Sequence, residues 1–464
     1  MNMSENVLSD KELIAELRAE NAELRRQLQE VTDKLNLALQ MIEKLTVKKN
    51  SKNSSIPPSQ DPNRPRKTNS LRKKGLKPSG GQAGHKGHTL KAVETPDEIH
   101  DLKPNFCGAC GNLFSKKNLF YLTKRQQIDV PPIALHTTEF RQFIGVCSCG
   151  NHQKASFPQG VNAPVQYGPN IEALVGYLSS YQYLPYQRMT ELFKDLFGVS
   201  LSQGTVDNML IRLSEKGAKV YEGIRQKLEN SEKPVGADES SCHVDGEIYW
   251  AWVWQNDDYS YLAMSENRGK KTVDENFSKG FPRTVLSSDR WPSHLNTPAK
   301  AHQICMAHIL RELEYLEALE KHPFVMQLQK LLRKAIQAKK EHRVFAPEAP
   351  QAKAMERELT ELLAQGIDKE KYPKTNTLQH SLIRLRAAIF PFLYHENLAP
   401  DNNASERAIR NVKVKQKVSG QFKTGQNRFA VLRSIVDTLK KQGKDIFDFL
   451  VNLAKTQPQW SWDT

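Results

Sequence analysis

The run Pro234-Val-Gly-Ala-Asp-Glu-Ser-Ser241, followed by Glu247-Ile-Tyr-Trp-Ala-Trp-Val-Trp-Gln255, decides how the centre of this chain folds. In the second run Trp250, Trp252 and Trp254 alternate with smaller residues, the period of a β-strand. Val235–Ser241 is β-prone and carries Asp238, and Tyr259–Ser265 supplies a third strand. After a helical stretch over about Gly269–Gly280 comes another β-prone run, Thr284–Asp289, ending on an acid followed by Arg290 and Trp291. His302–Cys305 reads as one more strand, leading into a helix from about Ala307.

Three strands in meander order, a helix and a further strand open an RNase H-like fold, which places one acid midway along its first strand and another at the end of its fourth. Asp238 and Asp289 stand in those places. A charged, mostly helical stretch follows over about Arg311–Tyr394. Beyond it, Asp401-Asn-Asn-Ala-Ser-Glu-Arg-Ala-Ile-Arg-Asn-Val-Lys413 reads as a helix with Asn403, Glu406, Arg410 and Lys413 on one face. A carboxylate and two cations on one face suit phosphodiester chemistry, Glu406 helping to hold a divalent ion and Arg410 and Lys413 gripping a phosphate. Ordinary glutamate–arginine pairing on an exposed helix produces the same pattern.

The regions before this core have other signatures. From about Ile14 to Leu45 one heptad seam holds Ile14, Asn21, Leu28, Leu35 and Ile42, and the other Leu17, Leu24, Val31, Ala38 and Leu45. That stripe makes a coiled coil, with Asn21 fixing the register of a parallel dimer; a single amphipathic helix packed on the chain is the alternative. From Val47 to about Leu90 the chain is rich in Lys, Arg, Ser, Pro and Gly and cannot bury enough apolar surface to fold alone, so it is a linker or a DNA-docking arm. Cys107-Gly-Ala-Cys110 and Cys147-Ser-Cys149 present four thiols in two tight pairs, the donor set of a structural zinc site, with strands expected between them at Lys124–Val130 and Thr137–Val146. Tyr186–Phe197 has helical spacing and ends at Gly198; Ser202 can cap a second helix through Thr205 and Val206. Helix, Gly turn and capped helix outline a helix-turn-helix, although simple core packing gives the same signal.

With 464 residues the chain is expected to form several units. Its net charge of +15 and isoelectric point near 9.3 suit a polyanionic partner. Mean hydropathy is −0.61, no apolar run is long enough to span a bilayer, and Met1–Glu12 is polar, so no membrane association and a cytoplasmic location are expected.

Several runs carry a resemblance: Asn53-Ser-Ser-Ile-Pro-Pro-Ser-Gln-Asp61, Gly80-Gly-Gln-Ala-Gly-His-Lys-Gly-His88, Leu184-Pro-Tyr-Gln-Arg188, Phe197-Gly-Val-Ser-Leu-Ser-Gln-Gly-Thr205, Cys305-Met-Ala-His308 and Asp401-Asn-Asn-Ala-Ser-Glu-Arg-Ala-Ile-Arg410. In this order they resemble bacterial transposases of the insertion sequence sixty-six family. The resemblance implies a D-D-E triad of Asp238 (in Asp238-Glu239-Ser240), Asp289 and Glu406. It implies Mg²⁺ or Mn²⁺ as cofactor, with two ions roughly 3.5–4 Å apart serving in-line attack on a DNA phosphodiester. Asp289-Arg290-Trp291 departs from the family's usual Gly-Tyr after the second acid, and Ser419-Gly-Gln-Phe-Lys-Thr-Gly425 departs from its Phe-x-Gly-Ser. Cys305 and His308 resemble the family's Cys-x-x-His motif, whose role is structural or functional. DNA partners would be terminal inverted repeats and target DNA, met in part by Arg188, Ser202 and Thr205, and accessory proteins of the same element are further partners.

The expected architecture is therefore multidomain α/β. It comprises a coiled-coil dimerisation helix over 1–46, a basic linker over 47–93, a zinc-binding module over 94–163 and a helix-turn-helix-like DNA-binding region over 164–230. An RNase H-like catalytic domain over 231–420, with a helical insertion at about 311–394, and a C-terminal helical region over 421–464 complete it. Two other classes fit parts of the pattern: a DNA-binding regulator with an inert RNase H-like core, and a junction resolvase.

Overall fold

The computed structural model describes residues 10–46, 49–50, 90–131 and 133–455. The basic linker expected over 47–93 lies almost wholly outside the described residues, as do the Asn53–Asp61 and Gly80–His88 runs. By internal contacts the chain divides into one unit of residues 1–64 and 139–464 and another of residues 65–138.

In the smaller unit the described backbone is largely irregular. Cys107 and Cys110 bracket a tight turn in which the Gly111 N–H donates to the Cys107 carbonyl (2.8 Å), with Gly111 at φ +74°. The strand expected at Lys124–Val130 does not form: the segment has no paired neighbour among the described residues, and Ile128 and Val130 lie exposed. A strand is stable only where its backbone groups find partners.

The larger unit begins with helix α1 (Asp10–Thr46). Every seam residue whose side chain is described on it, from Ile14 to Ile42, is exposed, so the apolar stripe is not buried in the chain's own core. Strands β1 (Ile144–Val146) and β2 (His152–Lys154) form a small hairpin, so the strand expected over Thr137–Val146 is confined to its last three residues. Cys147 and Cys149 stand in its turn, where the Gly150 N–H donates to the Cys147 carbonyl (2.9 Å) and Gly150 has φ +85°.

Three helices follow: α2 (Pro169–Ser180), α3 (Tyr186–Phe197) and α4 (Gln203–Glu229). Gly198, at φ +66°, ends α3 in the left-handed conformation that glycine adopts most cheaply. The Ser202 hydroxyl caps α4 by accepting the Thr205 N–H at 3.0 Å.

The central sheet comes next. Strand β3 (Val235–Val244) pairs antiparallel with β4 (Glu247–Gln255), which pairs antiparallel with β5 (Ser260–Ser265). After α5 (Lys270–Asn276), β6 (Phe281–Ser288) returns parallel to β3 on its other side. A short helix α6 (Pro292–Leu295) leads to β7 (Ala299–Ile304), parallel to β6, giving the order β5-β4-β3-β6-β7. A meander, a helix and a fourth strand thus occur in the order the sequence predicts.

Alternation on the strands explains both faces of this sheet. Trp252, Trp254, Tyr261 and Ala237 enter a core shared with α2–α4, while Ala251, Val253, Leu262 and Cys242 enter a second cluster on the opposite face. A third cluster joins β6 and β7 to the insertion α7 (Met306–Leu319), α8 (Pro323–His342), α9 (Pro350–Leu363), α10 (Pro373–Arg384) and α11 (Pro391–Tyr394).

Helix α12 (Asn403–Ser419) lies over β3 and β4, and α13 (Gln426–Lys441) and α14 (Ile446–Ala454) close the larger core against α2 and α4. On α13 the Ser434 and Thr438 hydroxyls accept the Leu262 and Ser260 N–H groups at 2.9 and 3.1 Å. Those are backbone donors of the edge strand β5, which would otherwise be left open. Among the described residues no helix is long and apolar enough to cross a membrane.

Candidate active site

Parallel pairing sets two acids side by side. Val235 faces Leu286 and Gly236 faces Ser287 across β3 and β6. Carried two residues further, the register brings Asp238 level with Asp289, just past the end of β6. Functional groups of parallel strands gather at such carboxyl ends.

The third acid arrives from far along the chain by a specific clasp. Asn402 and Ser405, at the start of α12, are buried against β3. The Asn402 side-chain amide donates to the Ala237 carbonyl at 2.7 Å, and Ser405 Oγ accepts from the Gln255 amide at 3.3 Å. Gly236 permits the approach, since a Cβ there would lie 2.4 Å from Ser405 Oγ. Cys305 completes the clasp: its buried sulfur accepts the Asn402 N–H at 3.2 Å, and its own N–H donates to the Ser288 carbonyl at 2.9 Å. Glu406 is thereby delivered to the acids on the sheet, close enough that its charge acts on Asp238.

This centre is rich in negative charge. Burial, followed by the charges of Glu239, Asp289 and Glu406, raises the Asp238 carboxyl well above the usual carboxylate range. Burial and Glu239 likewise raise Asp289, whose Oδ1 accepts the Trp291 N–H at 2.9 Å. Glu406 has one cationic neighbour, Arg311, whose Nη2 stands 3.6 Å from its Oε1, and His308 Nε2 lies 4.0 Å from the same oxygen. Burial, with Arg311 and Arg290, lowers His308 to about 4, so at neutral pH it is an uncharged imidazole. The Cys-x-x-His pair therefore has two positions here, Cys305 under the α12 clasp and His308 beside Glu406.

Glu239, next to Asp238, has its own setting. Burial pushes its carboxyl up, but His294 Nε2 at 2.8 Å and Arg268 Nη2 at 2.9 Å outweigh that and hold it below its usual value. The Arg268 guanidinium lies 4.5 Å from the Trp250 ring centroid and 3.7 Å from that of Trp291, a cation–π sandwich. Trp291, which stands where the resembling family has tyrosine, thus fixes both Asp289 and Arg268. Ligand atoms of Glu239, Asp289 and His294 lie within 4.8 Å of one another, and carboxylate oxygens with an imidazole nitrogen are a donor set that suits a divalent ion.

Glu239, Arg268 and His294 are the site residues that spacing did not single out. Strand alternation sends Glu239 to the opposite side from Asp238, and Arg268 and His294 come from connections with no periodic pattern. The adjacency of two acids on one strand was the available signal for Glu239.

The residues expected at DNA are distributed more widely. Arg188 on α3 and Arg410 on α12 are exposed, and Thr205 shares a 2.9 Å hydrogen bond with Ser202. The Lys413 ammonium is partly buried and donates to the Ser241 carbonyl. The cysteine pairs are each disposed for thiolate: backbone N–H groups of Ala109 and Cys110 lower the Cys107 thiol, and that of Cys149 lowers Cys147.

Two families match this chain. The one described as Transposase IS66 family matches residues 164–428, more than half of the chain, and the one described as a family of unknown function (DUF6444) matches residues 7–91. No curated protein matches. The chain belongs to the transposase IS66 family, which gives it a general function in transposition and implies DNA binding.

A carboxylate buried among like charges is unfavourable without a counter-ion. Replacing Asp238 by Asn should raise the thermal midpoint in EDTA by about 2–4 °C. Mg²⁺ should raise the midpoint of the wild type and leave that of the variant nearly unchanged. Differential scanning calorimetry measures both; a lower midpoint for the variant in EDTA would show that Asp238 is a structural partner instead.

Proposed function

We propose that this chain is a DDE-type transposase, with Asp238, Asp289 and Glu406 as the metal-binding acids of an RNase H-like domain. It would cleave DNA at the ends of an insertion sequence and transfer the freed strands to target DNA. The observation that carries this reading is the crowding of Asp238 by Glu239, Asp289 and Glu406 in a partly buried centre. Glu239 is already paired with Arg268 and His294, and Glu406 stands near Arg311, so Asp238 and Asp289 are the acids without an ion-pair partner among the described residues. A divalent cation is the natural complement of such a set. Mg²⁺ or Mn²⁺, when bound, supplies Lewis acidity to a phosphate oxygen and lowers the pKa of water.

The chain's own residues perform the positioning. The Trp291 N–H orients Asp289, and the α12 clasp carries Glu406. Arg311 and neutral His308 border Glu406 without saturating it. Arg410 on α12, Arg188 on α3 and the capped start of α4 at Ser202 and Thr205 are the proposed DNA contacts, through phosphates and base edges. Lys413 adds charge beside them while its ammonium rests on β3. No covalent intermediate between protein and DNA is required, so no serine or tyrosine nucleophile is assigned.

Two further parts complete the proposal. The exposed seam of α1 would pair with that of a second copy, holding two element ends in one complex; sedimentation of Leu28→Asp, expected as monomer where the wild type is dimer, tests it. The thiolates of Cys107, Cys110, Cys147 and Cys149 would bind structural zinc, which elemental analysis of the purified chain reads directly.

The activity test uses DNA bearing the sequences that flank the gene. With Mg²⁺ or Mn²⁺ the wild type should cleave and join it, and Asp238→Asn and Glu406→Gln should each lose about 10³-fold or more. Retained activity in these variants contradicts the assignment. Binding without cleavage by the wild type, unchanged in Asp238→Asn, favours a DNA-binding regulator.

A further inference from the structure

A cavity of about 640 Å³ lies between the start of α3 and α4 and the loop joining α12 to α13. None of the acids discussed above lines it. Its wall includes the segment around Gln421–Gly425, where the sequence departs from the resembling family.

Three polar groups on this wall have unfulfilled bonding capacity. Lys415 is only 8% exposed, and its ammonium has no hydrogen-bond or ion-pair partner among the described residues. Burial alone pulls its pKa down to about 8. Ser180 is 1% exposed, and its hydroxyl is unpartnered. Arg428 has a buried Nε without a partner, while its Nη2 donates to Asp207 at 2.6 Å. Asp207 is the acid on this wall and is already engaged, by Arg428 and by the Tyr186 hydroxyl at 3.0 Å.

The backbone adds to the same polarity. Both α4 and α13 begin at the cavity, at Gln203–Gly204 and at Gly425. The N-terminus of α13 has no side-chain cap, so its first N–H groups and the positive end of its dipole remain available. Gly425, at φ +78°, lies against the Arg428 guanidinium, where a Cβ would come within 2.5 Å of Nη2. Exposed Lys423 stands on the rim. The Lys415 side chain is largely buried, and its residue lines the cavity beside other donors and aromatic Tyr186, Phe422 and Phe429.

We infer that this cavity is a phosphate-binding pocket for a nucleotide of the DNA substrate, with Lys415 and Arg428 as its cationic ligands and Ser180 and the α13 N-terminus as further donors. The volume exceeds the need of a lone phosphate and admits a nucleotide with its base against the aromatic wall. The inference rests on the reading of the chain as a DNA-processing protein and adds a strand-holding site outside the acidic centre.

The test compares the full chain with Lys415→Met. A fluorescent DNA duplex reports affinity across a salt series, and thermal unfolding reports stability. The variant should be as stable as the wild type or more so, bind the duplex about tenfold more weakly, and show a logarithmic salt slope smaller by about one. Ser180→Ala, a smaller change, should weaken binding about two- to threefold without loss of stability. Duplex affinity and salt slope unchanged in Lys415→Met overturn the inference. So does inorganic phosphate that stabilises the wild type but not the variant while duplex affinity is equal, because the pocket would then serve a free anion. Asp238→Asn separates the two readings: Lys415-dependent binding together with cleavage that survives in Asp238→Asn counts against the D-D-E assignment and upholds the pocket.

Discussion

The clasp between α12 and β3 is the contact on which the candidate site depends. Asn402 bonds to Ala237 across 165 positions of sequence. Ser405, Gly236 and the Cys305 sulfur close the same joint. Without it Glu406 would belong to a charged surface helix. With it, a carboxylate from beyond the helical insertion stands with acids from two parallel strands. The insertion itself packs on β6 and β7, so the long excursion of the chain returns to the edge of the site it left.

The electrostatics divide the acids by their need for a counter-charge. Glu239 is paired with an arginine held between two tryptophan rings and with a fully buried histidine. Asp238 and Asp289 are raised by burial and by their neighbours, and neither has an ion-pair partner of its own among the described residues. Like charges gathered in a partly desolvated place destabilise the empty fold, and such tension is common where a site is arranged for a ligand. Trp291 links the two groups, since its backbone fixes Asp289 while its ring supports Arg268.

Much of this was legible in the sequence because it rests on short periodicities. The tryptophan alternation of β4, the Gly198 stop, the Ser202 cap and the β3–β4–β5 order all follow from local rules. Helix α4 runs on from its Ser202 cap to Glu229 because its later turns bury Ile224 and Leu228 in the core shared with the sheet. The Arg268 sandwich and the His294 contact were not legible, because each joins residues from irregular connections whose meeting is set by tertiary packing. The β-propensity of Lys124–Val130 misled for the opposite reason, being a local preference without a partner strand among the described residues. Asn402 and Ser405 stood inside the motif that drew attention to Glu406, yet their role in gripping β3 emerges only from the packing of α12.

The central claim is that Asp238, Asp289 and Glu406 share a divalent cation. Crystals of the full chain grown with Mn²⁺ and examined by anomalous scattering test it most directly. Anomalous density held jointly by the three carboxylates is the expected result. Density confined to Glu239, Asp289 and His294, or none beside Asp238, would contradict it.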